Sequence, residues 1–301
     1  MRGINQYAVF ILAVSLALAL VYFTVIASFF SRHGFTYQYG TATTQPIAAV
    51  ELSDGVTVAM RAAEKGIVAK FSLKGDKREE IVIGEYPVLA TAGNDIVVLD
   101  DAATKLVKLD GRLRKLAERK IEGSPMRRVY STRSKILVPM KQQGRDVLAF
   151  YDFYLEPKNA ASLPEPAIMS GDVYSYSYNG TCFVGILEKD ITEILECNGT
   201  ALAAGEYIFV LSNGNRVLKF DRSLRKLRDT YVSLEGKYIG VSEKFVYIGT
   251  ESQVHKYSHD LDEQDCPVCR DLYGMTILGF SDRGHYAIAK SDQKAVVAAL
   301  D

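Results

Sequence analysis

The chain has 301 residues, 48% of them hydrophobic, which is enough apolar side chain for one large core or two smaller ones. Its 36 basic and 36 acidic residues cancel, so net charge gives no general attraction to polyanions, and we expect no nucleic-acid partner. The four cysteines are an even set, which is compatible with disulfides in an oxidising compartment.

The N-terminal region has the pattern of a membrane anchor. Residues 7–30 contain no charged side chain, and a helix of that length, about 36 Å, crosses a bilayer core of about 30 Å. The apolar stretch of a cleaved secretory peptide is shorter. We therefore predict a signal anchor over residues 1–30, a short linker over 31–34, and a single-pass protein of the cell membrane. A second interpretation is processing after Gly3, because "MRG" before an apolar run resembles the leader of archaeal pilin-type precursors.

The side of the membrane is predicted from other features, since Arg2 on one flank and Arg32 on the other give almost no charge bias. Two glycosylation sequons begin at Asn179 and Asn198. Together with cysteines that can pair, they favour a C-terminal body outside the cytoplasm, with glycans at both asparagines.

A repeat runs through the rest of the chain. "KLDGRLRKL" from Lys108 recurs as "KFDRSLRKL" from Lys219, 111 residues later, which is three steps of 37. One further step of 37 reaches Lys256, and a step of 38 back from Lys108 reaches Lys70. A period of this size with strand-like content indicates a repeat architecture.

Seven β-rich apolar runs follow this period. They are "VTVAM" from Val56, "IVVLD" from Ile96, "ILVPM" from Ile136, "VYSYS" from Val173, "YIFVL" from Tyr207, "FVYIG" from Phe245 and "YAIAK" from Tyr286. Most are followed by a polar break and a second strand, as in a hairpin. About 38 residues with four short strands make one blade of a β-propeller. We predict an all-β, seven-bladed propeller over residues 35–301, with six blades as the alternative.

The repeated nonapeptide is interpreted as the turn that joins the third and fourth strands of a blade. Asp110 and Asp221 end a strand, where a short carboxylate can accept backbone N–H groups two residues on. Leu113 and Leu224 can then pack between adjacent blades. We predict a structural role for both aspartates.

The stretch "GEYIFVLSNGNRVLKFD", residues 205–221, resembles the NHL-type propeller repeat, and "NDIVVLDDAATKLVKLD" from Asn94 is similar to it. Quinoprotein-like propellers share much of this pattern. The resemblance implies the fold and a tendency to bind partners on a face. The chain has no Trp, which argues against WD-type repeats and against a quinone-cofactor dehydrogenase.

The cysteines suggest two disulfides. A two-residue turn at Lys189-Asp190 would place Cys182 opposite Cys197, near enough for a bond, with two free buried thiols as the alternative. Cys266 and Cys269 form a CxxC motif whose flanks read as loop, unlike the helix start of redox enzymes. We predict a local disulfide there, with redox catalysis or half of a zinc site as the alternative.

Linear catalytic motifs are missing from the sequence. The four histidines are scattered, and no phosphate loop or nucleophile elbow is present. We predict no catalytic residue, cofactor or metal ligand. The predicted function is a membrane-anchored, extracytoplasmic binding or scaffolding module. The alternative is a hydrolase, lyase or oxidoreductase at the central channel, since propellers can assemble a site from one residue per blade.

Two predictions concern the ends of the ring. The strand-like segment from Phe35 to Thr44 has no nearby hairpin mate, so we expect it to pair beside Lys294 to Leu300 and close the last blade. It would enter from the face of the third–fourth-strand turns. We predict that this face lies near the bilayer through basic residues: Arg112, Arg114, Lys115, Arg222, Arg225 and Lys226. The opposite face would carry both sequons and an unknown protein or glycan partner.

Overall fold

The computed structural model describes residues 36–40, 44–100, 102, 104–162, 168–179, 181–187, 191–194 and 199–300. They form seven antiparallel sheets arranged as a seven-bladed β-propeller, within a compact unit that begins at Thr36. Seven blades, rather than six, are therefore confirmed. All seven apolar runs that we singled out contribute the second strand of a blade, counted from the channel.

The first strand of the chain, β1 (Thr36–Gly40), lies outside the blade that follows it. Blade 1 consists of β2 (Thr44–Leu52), β3 (Gly55–Ala62), β4 (Lys65–Ser72) and β5 (Lys77–Val82). Blade 2 consists of β6 (Pro87–Ala92), β7 (Asp95–Asp100), β8 (Lys105–Leu109) and β9 (Lys115–Lys120). Blade 3 consists of β10 (Ser124–Pro125), β11 (Tyr130–Ser131), β12 (Ile136–Gln142), β13 (Arg145–Tyr151) and β14 (Pro157–Ser162).

The remaining blades repeat the four-strand pattern. Blade 4 consists of β15 (Ile168–Ser170), β16 (Val173–Tyr178), β17 (Thr181–Ile186) and β18 (Ile191–Ile194). Blade 5 consists of β19 (Gly199–Ala204), β20 (Ile208–Ser212), β21 (Arg216–Phe220) and β22 (Lys226–Tyr231). Blade 6 consists of β23 (Tyr238–Val241), β24 (Phe245–Gly249), β25 (Val254–Ser258) and β26 (Glu263–Gln264), followed by helix α1 (Pro267–Asp271). Blade 7 contains β27 (Thr276–Phe280), β28 (Tyr286–Lys290) and β29 (Ala295–Ala299).

The ring closes through both ends of the chain. The strand β1 pairs antiparallel with β29, with Thr36 opposite Ala298, and so supplies the fourth strand of blade 7. The predicted closure is confirmed for Thr36–Gly40, whereas Thr44, which we had placed in the same strand, begins the first strand of blade 1. Pairing β1 with β29 covers an edge of backbone N–H and C=O groups that would otherwise template aggregation.

The blade topology defines two faces. Loops between first and second strands, and turns between third and fourth strands, open on one side, which we call the corner face. Loops between second and third strands, and the connections between blades, open on the other side, the linker face. Thr36 begins a fourth strand and therefore lies at the corner face.

The repeated nonapeptides are the third–fourth-strand turns of blades 2 and 5, as predicted. Asp110 Oδ1 accepts the backbone N–H of Arg112 and Arg114 at 2.9 Å, and Asp221 accepts those of Ser223 and Arg225 at 2.9 and 3.0 Å. These bonds hold the pKa of Asp221 below its usual value, the backbone bond from Arg225 contributing most. Each aspartate thus fixes its turn.

The same turns hold a leucine in the left-handed region. Leu113 has φ 55° and Leu224 has φ 61°, conformations that cost a non-glycine residue about 1–2 kcal/mol. Both side chains are buried, and each belongs to a core cluster that includes residues of the preceding blade, among them Val68 for Leu113 and Val184 for Leu224. Burial between blades offsets the backbone strain, so the leucines join neighbouring blades.

Replacing the turn leucine tests this role. We expect Leu224→Ala to lower the free energy of unfolding by about 2–4 kcal/mol, because it leaves a cavity between blades 4 and 5. Urea unfolding followed by circular dichroism measures the change. Leu227→Ala, on an exposed leucine of the same turn region, is the matched control and should stay within about 0.5 kcal/mol. Equal effects of the two substitutions would contradict the packing role.

Within the described residues, no helix is long and apolar enough to cross a membrane. The predicted span, residues 7–30, lies outside the residues that the structure describes, as does the linker over 31–34.

Candidate functional site

The first strands of the blades surround a central channel with a volume of about 1450 Å³. Its middle is apolar, with walls that include Ile47, Val88, Leu202, Ile239 and Ile288. Ligand pockets in proteins typically hold about 300–1,000 Å³ and combine apolar walls with a few polar groups. The channel is therefore large enough for a small molecule or for an inserted segment of a partner.

The mouth of the channel at the corner face is charged. It is lined by residues from the first–second-strand loops of several blades and from one third–fourth-strand turn: Arg133, Asp172, Glu206, Arg222, Glu243, Asp282 and Arg283. We call this set the charged mouth. Its seven side chains come from five blades, so no linear motif in the sequence reveals the site.

Asp282 is the most perturbed acid of the charged mouth. Its Oδ1 accepts the backbone N–H of Glu51 at 2.9 Å, and its Oδ2 lies 3.4 Å from Thr91 Oγ1. The side chain remains open to the channel solvent. The enclosing wall nevertheless disfavours the charged carboxylate and raises the pKa of Asp282 to about 6. The neighbouring Glu51 carboxylate adds to this rise in pKa. Asp282 can therefore gain or lose a proton near neutral pH.

A hydroxyl pair extends from this carboxyl group around the channel. Thr91 Oγ1 and Ser131 Oγ lie 3.2 Å apart, at the ends of the first strands of blades 2 and 3. The line from Asp282 to Ser131 thus presents oxygen atoms from three blades to whatever enters the mouth.

Glu51 sits behind Asp282 and has a structural role. Its buried carboxylate accepts the backbone N–H of His285 at 3.1 Å, contacts His285 Nδ1 at 2.6 Å, and accepts the hydroxyl of Ser281. These contacts tie blade 7 to blade 1 at the point where the ring closes. His285 is thereby held at the joint between blades 7 and 1.

The other described histidines also have local partners. His255 contacts Glu263 Oε1 at 2.9 Å, and His259 contacts the carbonyl of Ser242 at 3.1 Å. His33 lies outside the described residues. Among the described residues, no group of three or more His, Cys, Asp or Glu side chains is arranged to hold a metal ion.

Arg222, at the corner face, has partners in the charged mouth. Its Nε donates to Gly205 O at 2.9 Å and its Nη1 donates to Asp172 Oδ1 at 2.8 Å. The predicted approach of Arg222 to a bilayer stays a prediction. The remaining predicted residues of this group lie in or beside the third–fourth-strand turns at the corner face: Arg112, Arg114, Lys115, Arg225 and Lys226. Two of them pair with the turn aspartates, Arg114 with Asp110 and Arg225 with Asp221.

Cys266 and Cys269 are joined in a disulfide, as their spacing predicts. Their surroundings were predicted wrongly as loop, because Cys266 caps the one-turn helix α1. Both sulfurs are buried in the core between blades 6 and 7, beside Leu272 and Met275. Because this pair is buried and out of reach of redox partners, we interpret it as a structural disulfide.

The predicted register around Cys182 is wrong. Cys182 lies opposite Ile194, not Cys197, because four residues rather than two connect β17 and β18. Cys182 is disulfide-bonded, but Cys197 lies outside the described residues, so the pairing of Cys182 with Cys197 stays a prediction.

Only one of the two sequon asparagines, Asn179, lies within the described residues. Asn179 lies in the loop between β16 and β17, on the linker face, opposite the face that carries Arg225. Asn198 lies outside the described residues. Glycosylation at both positions stays a prediction.

Comparison with known proteins identifies the fold and leaves the family open. No family model matches the chain, and no curated protein matches it. The solved structures that it resembles include virginiamycin B lyase from Staphylococcus aureus with quinupristin, at 12% identity and a TM-score of 0.62 over 89% of this chain and 99% of that one. BamB from Moraxella catarrhalis is similar at 13% identity and a TM-score of 0.56, over 89% of this chain and 98% of that one.

A third structure, hydrazine synthase from Kuenenia stuttgartiensis, is similar at 13% identity with a TM-score of 0.58, over 88% of this chain and 98% of that one. At identities this low the likeness shows the β-propeller fold and carries no activity with it. Sequence reasoning missed the charged mouth, because its members come from separate repeats. The one usable signal was the recurrence of an acid in equivalent first–second-strand loops, Asp172 after Gly171 and Asp282 after Ser281.

Proposed function

We propose that this protein is a membrane-anchored, extracytoplasmic binding module that holds its ligand in the charged mouth of the channel. The observation that carries the proposal is Asp282, an acid kept at the channel mouth although the surrounding wall disfavours its charge. A carboxylate retained in an unfavourable place inside a cleft is typical of functional sites. The anchor over residues 7–30 and the NHL-type character of the repeats are parts of this proposal that rest on the sequence.

The ligand chemistry follows from the wall and the mouth. Apolar side chains such as Val88 and Ile239 suit an apolar body, and the oxygens of Asp282, Thr91 and Ser131 suit a hydrogen-bond donor on that body. The arginines of the mouth add sites for an acidic group. A ligand with both polar ends and an apolar centre fits this arrangement.

An enzyme at the same mouth is the second candidate. A carboxyl group with a pKa of about 6 is suited to general acid–base catalysis near neutral pH. Asp282 therefore supports both candidate functions. A binding module releases its bound molecule unchanged, whereas an enzyme releases a product.

Protein partners are proposed for the linker face. Three exposed tyrosines, Tyr178, Tyr231 and Tyr273, lie at this face in the sector of blades 4 to 6. Tyrosine is enriched at protein interfaces because it combines apolar area with a polar tip. Glycans on Asn179 would border this surface.

A photo-crosslinking experiment tests the proposed site. A benzophenone amino acid at Glu243, in the charged mouth, should form adducts in native membranes, and the adducts should weaken when Asp282→Asn is added. The same probe at Lys244, the next residue on the same loop but absent from the channel lining, is the matched control. Mass spectrometry of the adduct distinguishes an intact ligand from a product. Adducts of equal yield at both positions would refute the site, and loss of the protein from membranes in alkaline carbonate would refute the anchor.

A further inference from the structure

The third–fourth-strand turns at the corner face differ in charge from blade to blade. The turn of blade 1, residues 72–78, carries Lys74, Lys77 and Arg78 against Asp76, and the turn of blade 2, residues 110–116, carries three basic residues against Asp110. The turn of blade 5, residues 221–227, also carries three basic residues, but these pair with Asp172, Asp221 and Asp229. The turn of blade 6, residues 258–264, carries three acidic residues and no Lys or Arg. We call the turns of blades 1 and 2 together the basic edge.

The two turns of the basic edge are neighbours. Lys70 Nζ, at the end of the third strand of blade 1, donates to the carbonyl of Gly111 in the turn of blade 2. Within the described residues, Lys74, Arg78 and Arg112 form no ion pair, so their charges are available to an external anion. Lys77 and Lys115 pair with carboxylates further along the outer strands.

Apolar side chains project from the same edge. Leu73 and Leu116 are each 54% exposed, and each is next to a lysine, Lys74 and Lys115. Leucines flanked by lysines and arginines on an exposed surface are the combination that lets a protein lie on an anionic bilayer, with apolar groups about 5–10 Å into the headgroup boundary.

The chain enters the propeller beside this edge. Thr36 starts β1 at the corner face of blade 7, which directly precedes blade 1 in the ring. Residues 31–35 are all that separate Thr36 from the uncharged segment, a reach of at most about 18 Å at 3.6 Å per residue. This argument rests on the membrane anchor of the proposed function. With that anchor in the bilayer, the short segment keeps the basic edge within reach of the headgroups.

Flat contact of the whole corner face with the membrane is unfavourable. It would press the acidic turn of blade 6, together with Glu206 and Glu243 of the charged mouth, onto anionic headgroups. It would also seal the channel. We propose that the propeller lies obliquely on an anionic lipid bilayer, in contact through the basic edge of blades 1 and 2, with the charged mouth open to solution.

The two nonapeptide copies supply a matched test. Leu116 and Leu227 occupy equivalent positions after "RLRK" and "RSLRK", but they lie in blades 2 and 5, apart around the ring. Both are exposed, Leu227 to 42%. Because the chain has no Trp, Leu116→Trp and Leu227→Trp each give a single fluorophore. Each full-length variant is reconstituted into vesicles of phosphatidylcholine and phosphatidylglycerol, with and without brominated phosphatidylcholine.

We expect brominated lipid to lower the emission of Leu116→Trp by about half, as for a ring at the headgroup boundary, and to leave Leu227→Trp nearly unchanged. Vesicles without phosphatidylglycerol should reduce the quenching of Leu116→Trp, since the attraction is to anionic lipid. Leu73→Trp is a second variant of the basic edge and should behave as Leu116→Trp does.

Three results would overturn the inference. Equal quenching of Leu116→Trp and Leu227→Trp would mean flat docking. Unquenched Leu116→Trp and Leu73→Trp in protein that floats with the vesicles would mean that the propeller stands away from the bilayer. Quenching that is the same in neutral vesicles would exclude the electrostatic basis. Failure of the full chain to float at all would refute the anchor of the proposed function instead.

Discussion

Replacing Glu51 by Ala is expected to lower the free energy of unfolding by about 3 kcal/mol or more. The buried carboxylate of Glu51 accepts hydrogen bonds from the ring Nδ1 and the backbone N–H of His285 and from the hydroxyl of Ser281. Its removal takes away three hydrogen bonds at a largely buried joint, and the loss of a buried hydrogen-bond network is among the largest effects of a single substitution. The damage falls at the joint between blades 7 and 1, so opening of the ring should precede global unfolding.

Urea unfolding and hydrogen exchange measure this result. Amides of β1 and β29 should exchange faster in Glu51→Ala than in the wild-type protein, because their pairing holds the other side of the joint. Glu64→Ala, in the exposed second–third-strand turn of blade 1, is the control and should stay within about 0.5 kcal/mol. An unchanged unfolding midpoint in Glu51→Ala would show that the β1–β29 pairing closes the ring without the Glu51 contacts.

In contrast to Glu51→Ala, Asp282→Asn should raise the free energy of unfolding at pH 8, and it should weaken binding of the ligand in the charged mouth. The pKa of Asp282 is raised to about 6 from 3.8, so the folded state binds this proton more tightly than the unfolded state does. The stability that the protonated group contributes is fully present below pH 3.8 and is lost as the pH rises through about 6. At pH 8 the ionised group therefore destabilises the fold, and Asn removes that penalty.

The expected gain at pH 8 is about 1 kcal/mol, because solvent in the channel screens much of the shift. At pH 4 the wild-type protein and Asp282→Asn should be nearly equal, which thermal unfolding at the two pH values measures. Asp292→Asn, on an exposed turn of the same blade, is the control and should show no such pH-dependent gain. Loss of stability in Asp282→Asn at pH 8 would contradict an acid held there for binding.

The features that can be predicted from the sequence alone are local or periodic. The spacing of seven apolar runs sets the number of blades, since each second strand is buried on both sides and must be apolar. Asp110 and Asp221 specify their turns because the bonds that they make reach only two and four residues along the chain. The unpaired strand after Phe35 predicted the closure, since an edge strand needs a mate.

The remaining features depend on contacts between residues that are far apart in the sequence. Glu51 and His285 are 234 positions apart and meet only when the ring closes, so no local pattern connects them. The pKa of Asp282 depends on a channel wall that all seven blades build, and the place of Arg222 depends on Asp172 of the preceding blade. The register of Cys182 depended on a loop length that alternation along the strands does not encode. Short-range hydrogen bonds and the regular spacing of apolar runs thus specify a propeller, whereas the chemistry of the charged mouth arises from contacts between blades.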